Sequence, residues 1–160
     1  MQISAGIITI SDRASKGLYD DLGGSALKTA AHGYGWKVIA ESLVPDEKRE
    51  IQRAIREQIN KNCHLILTTG GTGVALRDVT PEAVQEIAVR ELPGFGEIMR
   101  IESMKITKNA ILSRNLAVVV GKALVICLPG KPTGAVECLG FVVGAIPHCI
   151  EVLQEVPTSC

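Results

Sequence analysis

The sequence predicts an α/β fold: a single three-layer αβα domain spanning residues 1–160, with a mostly parallel, doubly wound sheet. Three observations carry this expectation. Strand-like and helix-like segments alternate along the whole chain, as in successive βαβ units. The strand-like runs are apolar and β-branched and end in polar loop residues, as buried strands do. A length of 160 residues is enough for one substantial core and is the size of one domain.

Residues 6–11 (GIITIS) read as the first strand. Residues 23–34 follow as a helix, with Leu22, Ala26, Leu27, Ala30 and Ala31 at helical spacing. A second strand covers residues 36–43 and is stopped by Val44-Pro45-Asp46-Glu47, because the residue before a proline is pushed toward extended geometry. Asp46 has the position of an N-cap for a helix reaching Asn62, with Ile51, Ala54, Ile55 and Ile59 on its inner stripe. The third strand, residues 65–69, runs directly into Gly70-Gly71-Thr72-Gly73. Thr80-Pro81 combines a threonine cap with proline at the first helical position, opening a helix that ends near Arg90. Another helix covers residues 95–105. Residues 116–120 and 123–128 are strands joined by a tight turn at Gly121-Lys122. A last helical region starts near Thr133-Gly134 and is broken or restarted at Pro147.

Composition narrows the functions. Aromatic residues make up only 3%, so the core is aliphatic and there is little material for stacking nucleic-acid bases. The 17 basic and 17 acidic side chains balance, so no broad positive field attracts nucleic acid, and no nucleic-acid partner is expected. The cysteines, Cys63, Cys127, Cys138, Cys149 and Cys160, are odd in number and form no C-x-x-C pair, which fits reduced thiols acting as small hydrophobes. Residues 1–11 lack the basic start of a signal peptide. The apolar run at 139–150, interrupted by glycines, Pro147 and His148, reads as too short and too broken to cross a bilayer. A soluble, cytoplasmic protein without a membrane partner is expected.

The chemistry-bearing residues follow the strands, where ligands of such sheets bind. They are Ser11-Asp12-Arg13, Pro45-Asp46, Thr68-Thr69-Gly70-Gly71-Thr72-Gly73, Arg77-Asp78 and Leu128-Pro129-Gly130-Lys131-Pro132. Glycines at 70, 71 and 73 allow a tight turn that aims consecutive N–H groups at one concavity, which suits a phosphate, and Thr69 and Thr72 offer hydroxyls. Gly71 and Gly73 are the positions expected to need positive φ or a close ligand approach. The turn is neither G-x-x-x-x-G-K-[ST] nor G-x-G-x-x-G. Asp46 and Asp78 are carboxylates of the kind that hold Mg²⁺ beside substrate phosphates, and each has a plainer alternative as a helix cap or turn residue. Asp12 fits either a ligand role or turn chemistry. Arg13, Lys16, Arg77, Arg114 and Lys131 are cations that either clamp phosphate or remain solvated. His32, His64 and His148 show no metal-ligand spacing.

At these residues the chain resembles the MogA-type molybdopterin adenylyltransferases of the MoaB/Mog family, which includes the matching domain of gephyrin. The resemblance rests on SDR (11–13), VPDE (44–47), LTTGGTG (67–73), RDVTPEA (77–83), PGFGE (93–97), LSR (112–114) and LPGKP (128–132), in order. It implies Mg²⁺-dependent transfer of AMP from ATP to the molybdopterin phosphate, releasing pyrophosphate, by a homotrimer that hands its product to a molybdate-inserting protein. It ties Asp46 and Asp78 to activity and the glycine loop to the ligand. Ser11, Asp12, Ser113, Arg114 and the Pro129-Gly130-Lys131 turn join Thr69 to Gly73 as the expected binding wall. Two alternatives stand beside it: a nucleotide pyrophosphatase of the related competence-damage type, and a molybdopterin-binding carrier without chemistry.

Overall fold

The computed structural model describes residues 1–157. A six-stranded sheet is built from β1 (Ser4–Ile10), β2 (Lys37–Val44), β3 (Leu65–Thr69), β4 (Arg90–Glu91), β5 (Leu116–Val120) and β6 (Ala123–Leu128), in the order β2-β1-β3-β6-β5-β4. β1 pairs in parallel with β2 and β3, and β3 with β6, whereas β5 is antiparallel to both its neighbours. Only β5 therefore runs against the others, and the sheet is mostly parallel as expected. A single helical turn, α1 (Asp12–Ser15), follows β1 and is capped by the Ser11 hydroxyl, which accepts from Ala14 N–H.

Alternation along each strand divides the core into two layers. Ile7, Leu65, Leu67, Leu124, Ile126 and Leu128 pack on one face, under α2 (Leu22–Gly33), α5 (Pro93–Met104), α6 (Pro132–Val142) and α7 (Ile146–Leu153). Ile8, Ile10, Ile66, Val125 and Cys127 point to the other face, under α3 (Lys48–Asn60) and α4 (Thr80–Gln85). Each fully buried Ile or Leu contributes roughly 1.5–3 kcal/mol of transfer free energy, so the aliphatic strands supply most of the driving force. Ile51, Ala54 and Ile55 form the buried stripe of α3 as the periodicity predicts. Cys63, Cys127 and Cys138 are buried free thiols and Cys149 is half-buried; burial pushes Cys63 up to about 11 and Cys127 up to about 12. Cys160 lies outside the described residues.

Several boundaries differ from expectation, each for a tertiary reason. α3 begins at Lys48, and its cap residue Glu47 makes no side-chain cap bond; Asp46 does not cap α3, because its carboxylate instead accepts from Asp12 N–H at the start of α1. Thr80 is the first residue of α4 and not its cap: fully buried, it donates its hydroxyl to Gly70 O at 2.9 Å. α4 stops at Gln85, short of Arg90, because Val89 N–H turns to Val119 O and Arg90–Glu91 pair with β5 as a short edge strand. The Gly121-Lys122 turn forms as predicted, with Gly121 at φ +59°. Pro132–Leu153 is longer than the apolar run read from the sequence: its 22 residues include an 18-residue stretch of mean hydropathy 1.7, long and apolar enough to cross a membrane. The break expected at Pro147 is present, since α6 ends before a 3₁₀ turn and α7 restarts at Ile146. Pro147 sits in the first turn of α7 after a 3₁₀ turn (Val143–Ala145), a place proline tolerates. Ala135, Cys138, Leu139, Val142, Ile146 and Ile150 along it are buried in the core.

Candidate active site

From β1 the chain moves to β2 on one flank and returns through α3 to place β3 on the other, so strand order reverses between β1 and β3. Open α/β sheets bind ligands outside the carboxyl ends of the strands at such a reversal. The glycine turn after β3 is shaped from behind. Gly70 O accepts from the Thr80 hydroxyl, Gly71 O from Thr80 N–H at 3.1 Å, Thr72 O from Arg114 N–H at 2.9 Å and Gly73 O from Arg114 Nε at 2.8 Å. The N–H groups of Gly71, Thr72 and Gly73 donate to no acceptor among the described residues, while Gly70 N–H is taken by Leu128 O at 3.2 Å. With carbonyls tied and three N–H groups open, the turn has the groups an anion nest requires. Positive φ is found at Gly71 (+66°), as expected, and also at Gly70 (+106°), while Gly73 does not have it and lines the larger cavity. At Gly73 a Cβ would instead meet Asp78 Oδ2 at 2.8 Å.

The three aspartates gather on this rim and differ in their partners. Asp12 carries the cation: Arg77 Nε and Nη2 each donate to its carboxylate at 2.9 Å, which holds its pKa below the ordinary aspartate value. Asp46 Oδ2 accepts from Asp12 N–H at 2.9 Å, and Asp78 Oδ2 accepts from Ala75 N–H at 2.9 Å. Oδ1 of both has no hydrogen-bond partner, and neither makes a salt bridge among the described residues. Burial raises the Asp46 pKa, and the charges of Asp12 and Asp78 push it the same way. Two unpaired carboxylates with one free oxygen each fit Mg²⁺, which needs only one or two carboxylates beside phosphates and water. Among the described residues, no group of three or more His, Cys, Asp or Glu side chains forms a self-sufficient cage.

Two cavities meet at the glycine turn. One, of about 300 Å³, is lined by Ser11, Asp46, Thr69, Gly70, Gly71, Asp78 and Gly130. The other, of about 430 Å³, is lined by Thr72, Gly73, Ser113, Pro129, Gly130 and Lys131, so the expected wall is divided between them with Gly130 in both. Asp12 and Arg114 line neither. Arg114 is consumed as a strut, donating to Gly73 O, to Asp78 O at 2.7 Å and to Glu82. Thr69 is 2% exposed and its hydroxyl donates to Pro129 O at 2.7 Å, so it holds two loops together and is not the open donor expected. Lys131 is exposed and forms no salt bridge among the described residues. Sequence reasoning missed Thr9, Tyr19, Asp21 and Gly23 in the smaller cavity, and Ser103, Asn115 and Glu137 in the larger. Asp21 had a readable signal: it is the N-cap of α2, accepting from Gly24 N–H at 2.8 Å.

The strand order places the chain in the class of doubly wound α/β proteins, whose ligands bind at a strand-order reversal. The model of the family described as "Probable molybdopterin binding domain" matches residues 6–148, and the chain belongs to that family. It is similar to the molybdopterin adenylyltransferase of Helicobacter pylori, 44% identical over 154 residues that cover 94% of this chain and 88% of that protein. The molybdopterin adenylyltransferase of Escherichia coli K12 is 42% identical over 165 residues, covering 93% and 84%. Among solved structures, the molybdopterin biosynthesis enzyme MoaB of Thermus thermophilus superimposes at TM-score 0.91 and 39% identity, covering 98% of this chain and 99% of that one.

Proposed function

We propose that this chain is a molybdopterin adenylyltransferase that moves AMP from ATP to the molybdopterin phosphate, with Mg²⁺ as cofactor. The observation that carries the proposal is the junction of the two cavities at one anion nest beside Asp46 and Asp78. Adenylyl transfer requires the attacking phosphate oxygen, the α-phosphorus and the leaving pyrophosphate to lie in line. The smaller, acidic cavity takes the ATP phosphates. The larger one, with Met99, Ile106 and Leu112 among its apolar walls and Ser103, Asn115 and Glu137 among its polar groups, takes the fused-ring pterin.

In this reading the open N–H groups of Gly71, Thr72 and Gly73 orient a phosphate oxygen, and Lys131 adds positive charge where the cavities meet. Asp46 and Asp78 would hold Mg²⁺, each having a carboxylate oxygen that no hydrogen bond among the described residues uses. When bound, the ion neutralises the triphosphate and the charge developing on the leaving pyrophosphate. Incubation with molybdopterin, ATP and Mg²⁺ is expected to yield an adenylylated pterin by mass, with one pyrophosphate per product. ATP turnover without pterin would replace the proposal with pyrophosphatase chemistry, and binding without turnover would replace it with a carrier.

The same reading extends to a cytoplasmic homotrimer that hands its product to a molybdate-inserting protein. Exposed Ile98, Ile101 and Met104 on α5, beside a cavity walled by Phe95 and Phe141, supply apolar surface for assembly. Light scattering at micromolar concentration is expected to return three times the 17.0 kDa chain mass. A monomer mass would remove the trimer and leave the site chemistry standing.

A further inference from the structure

One ion-pair system links the three loops that carry the aspartates. Arg77 grips Asp12 with Nε and Nη2, and the same Nη2 reaches Glu47 Oε1 at 2.9 Å. Asp12 is locked in turn to Asp46: its Oδ1 accepts from Asp46 N–H at 3.0 Å, and its own N–H donates to Asp46 Oδ2 at 2.9 Å. The guanidinium makes no hydrogen bond to Asp46 or Asp78, yet it sets Asp12, and Asp12 sets Asp46. Arg77 also directly precedes Asp78, so its anchorage restrains that backbone as well.

A phosphate clamp parked on a carboxylate would look different. Arg77 lines neither cavity at the nest, and its planar fork is matched to three acceptor oxygens of the protein. Arg77 pairs with two of the rim's carboxylates, Asp12 and Glu47, whereas Asp46 and Asp78 make no salt bridge among the described residues.

We propose that Arg77 is a positioning residue of the adenylyl-transfer site, acting through Asp12 to hold Asp46 in place beside Asp78. The inference rests on the reading of Asp46 and Asp78 as metal carboxylates.

The test uses Mn²⁺ as the metal and α,β-methylene-ATP, which cannot be cleaved at the transferred bond, and reads free Mn²⁺ by electron paramagnetic resonance. Arg77→Gln is expected to weaken Mn²⁺ binding to the protein–nucleotide complex about 10- to 100-fold, the usual effect of removing a group that orients a metal ligand. Arg77→Lys restores part of it, because an ammonium cannot reproduce the two-pronged contact. Asp12→Asn separates positioning from clamping. A positioning pair makes Asp12→Asn weaken Mn²⁺ binding and add little to Arg77→Gln; a parked clamp, once freed, makes it tighten the analogue. Should Arg77→Gln fail to fold, Asp12→Asn carries the test alone. Unchanged Mn²⁺ affinity in folded Arg77→Gln, or tighter analogue binding in Asp12→Asn, overturns the positioning role. Failure of the unaltered chain to bind Mn²⁺ with the analogue overturns the metal reading and this inference together.

Discussion

Asp78→Asn and Asp46→Asn are each expected to lower the rate of adenylylation on the order of a hundredfold or more while leaving the chain folded, a loss of several kcal/mol of transition-state stabilisation. Folding should survive because the amide keeps what the structure uses. Asp78 is held through one oxygen that accepts from Ala75 N–H, and Asp46 through one that accepts from Asp12 N–H, and an asparagine oxygen serves both. What disappears is the charged second oxygen, which has no hydrogen-bond partner among the described residues and would be the one available to the metal. Nucleotide and pterin binding should hold or improve, since one negative charge leaves a site that takes anionic phosphates. Initial rates, ligand binding and thermal melts on the same preparations check all three statements. Near-unaltered turnover in both variants would remove the catalytic role and leave a binding protein.

The second large effect is on stability. Gly70→Ala is expected to lower the melting temperature by roughly 6–12 °C, corresponding to about 3 kcal/mol in a domain of this size. Gly70 sits at φ +106°, where a non-glycine residue costs about 1–3 kcal/mol on its own. A Cβ there would lie 2.1 Å from Ile10 O, a main-chain atom that can move only if the end of β1 moves with it. Gly71→Ala should behave differently: its Cβ would strike the Thr80 hydroxyl at 2.3 Å and approach Asp46 Oδ1 at 3.1 Å, so ligand binding suffers beside any loss of stability. Gly33→Ala is the control, with open space around its Cβ and no positive φ. A Gly70→Ala melting point within about 2 °C of that control, on the scale of under about 1 kcal/mol, would mean that the nest is not held by this contact.

Much of the architecture was legible because strand and helix signals are local. β3, β5 and β6 fall at the residues their apolar runs mark out, and the α3 stripe follows its spacing. β4 was not legible: Arg90–Glu91 carry no alternating pattern and are extended only because β5 offers an edge to pair with. The rim shows the same division. Asp46 before a helix reads as a cap from its neighbours alone, yet its carboxylate bonds to Asp12, 34 residues earlier. Thr69 and Arg114 read as ligand donors by residue type, yet both donate to the protein's own loops, Thr69 to Pro129 O and Arg114 to Gly73 O and Asp78 O.

By itself the sequence determined the alternation of strands and helices, the glycines of the turn after β3, and the placement of Asp46 and Asp78 beyond the strand ends. These depend on periodicity, on backbone freedom and on chain position, all of which are properties of a few consecutive residues. Only the tertiary structure decided which oxygen of each aspartate stays free, which arginine braces which loop, and how the wall splits into two cavities. Those outcomes are settled by partners far apart in the chain, 65 residues in the case of Arg77 and Asp12, which meet only once the sheet has brought the ends of β1, β2 and β3 side by side.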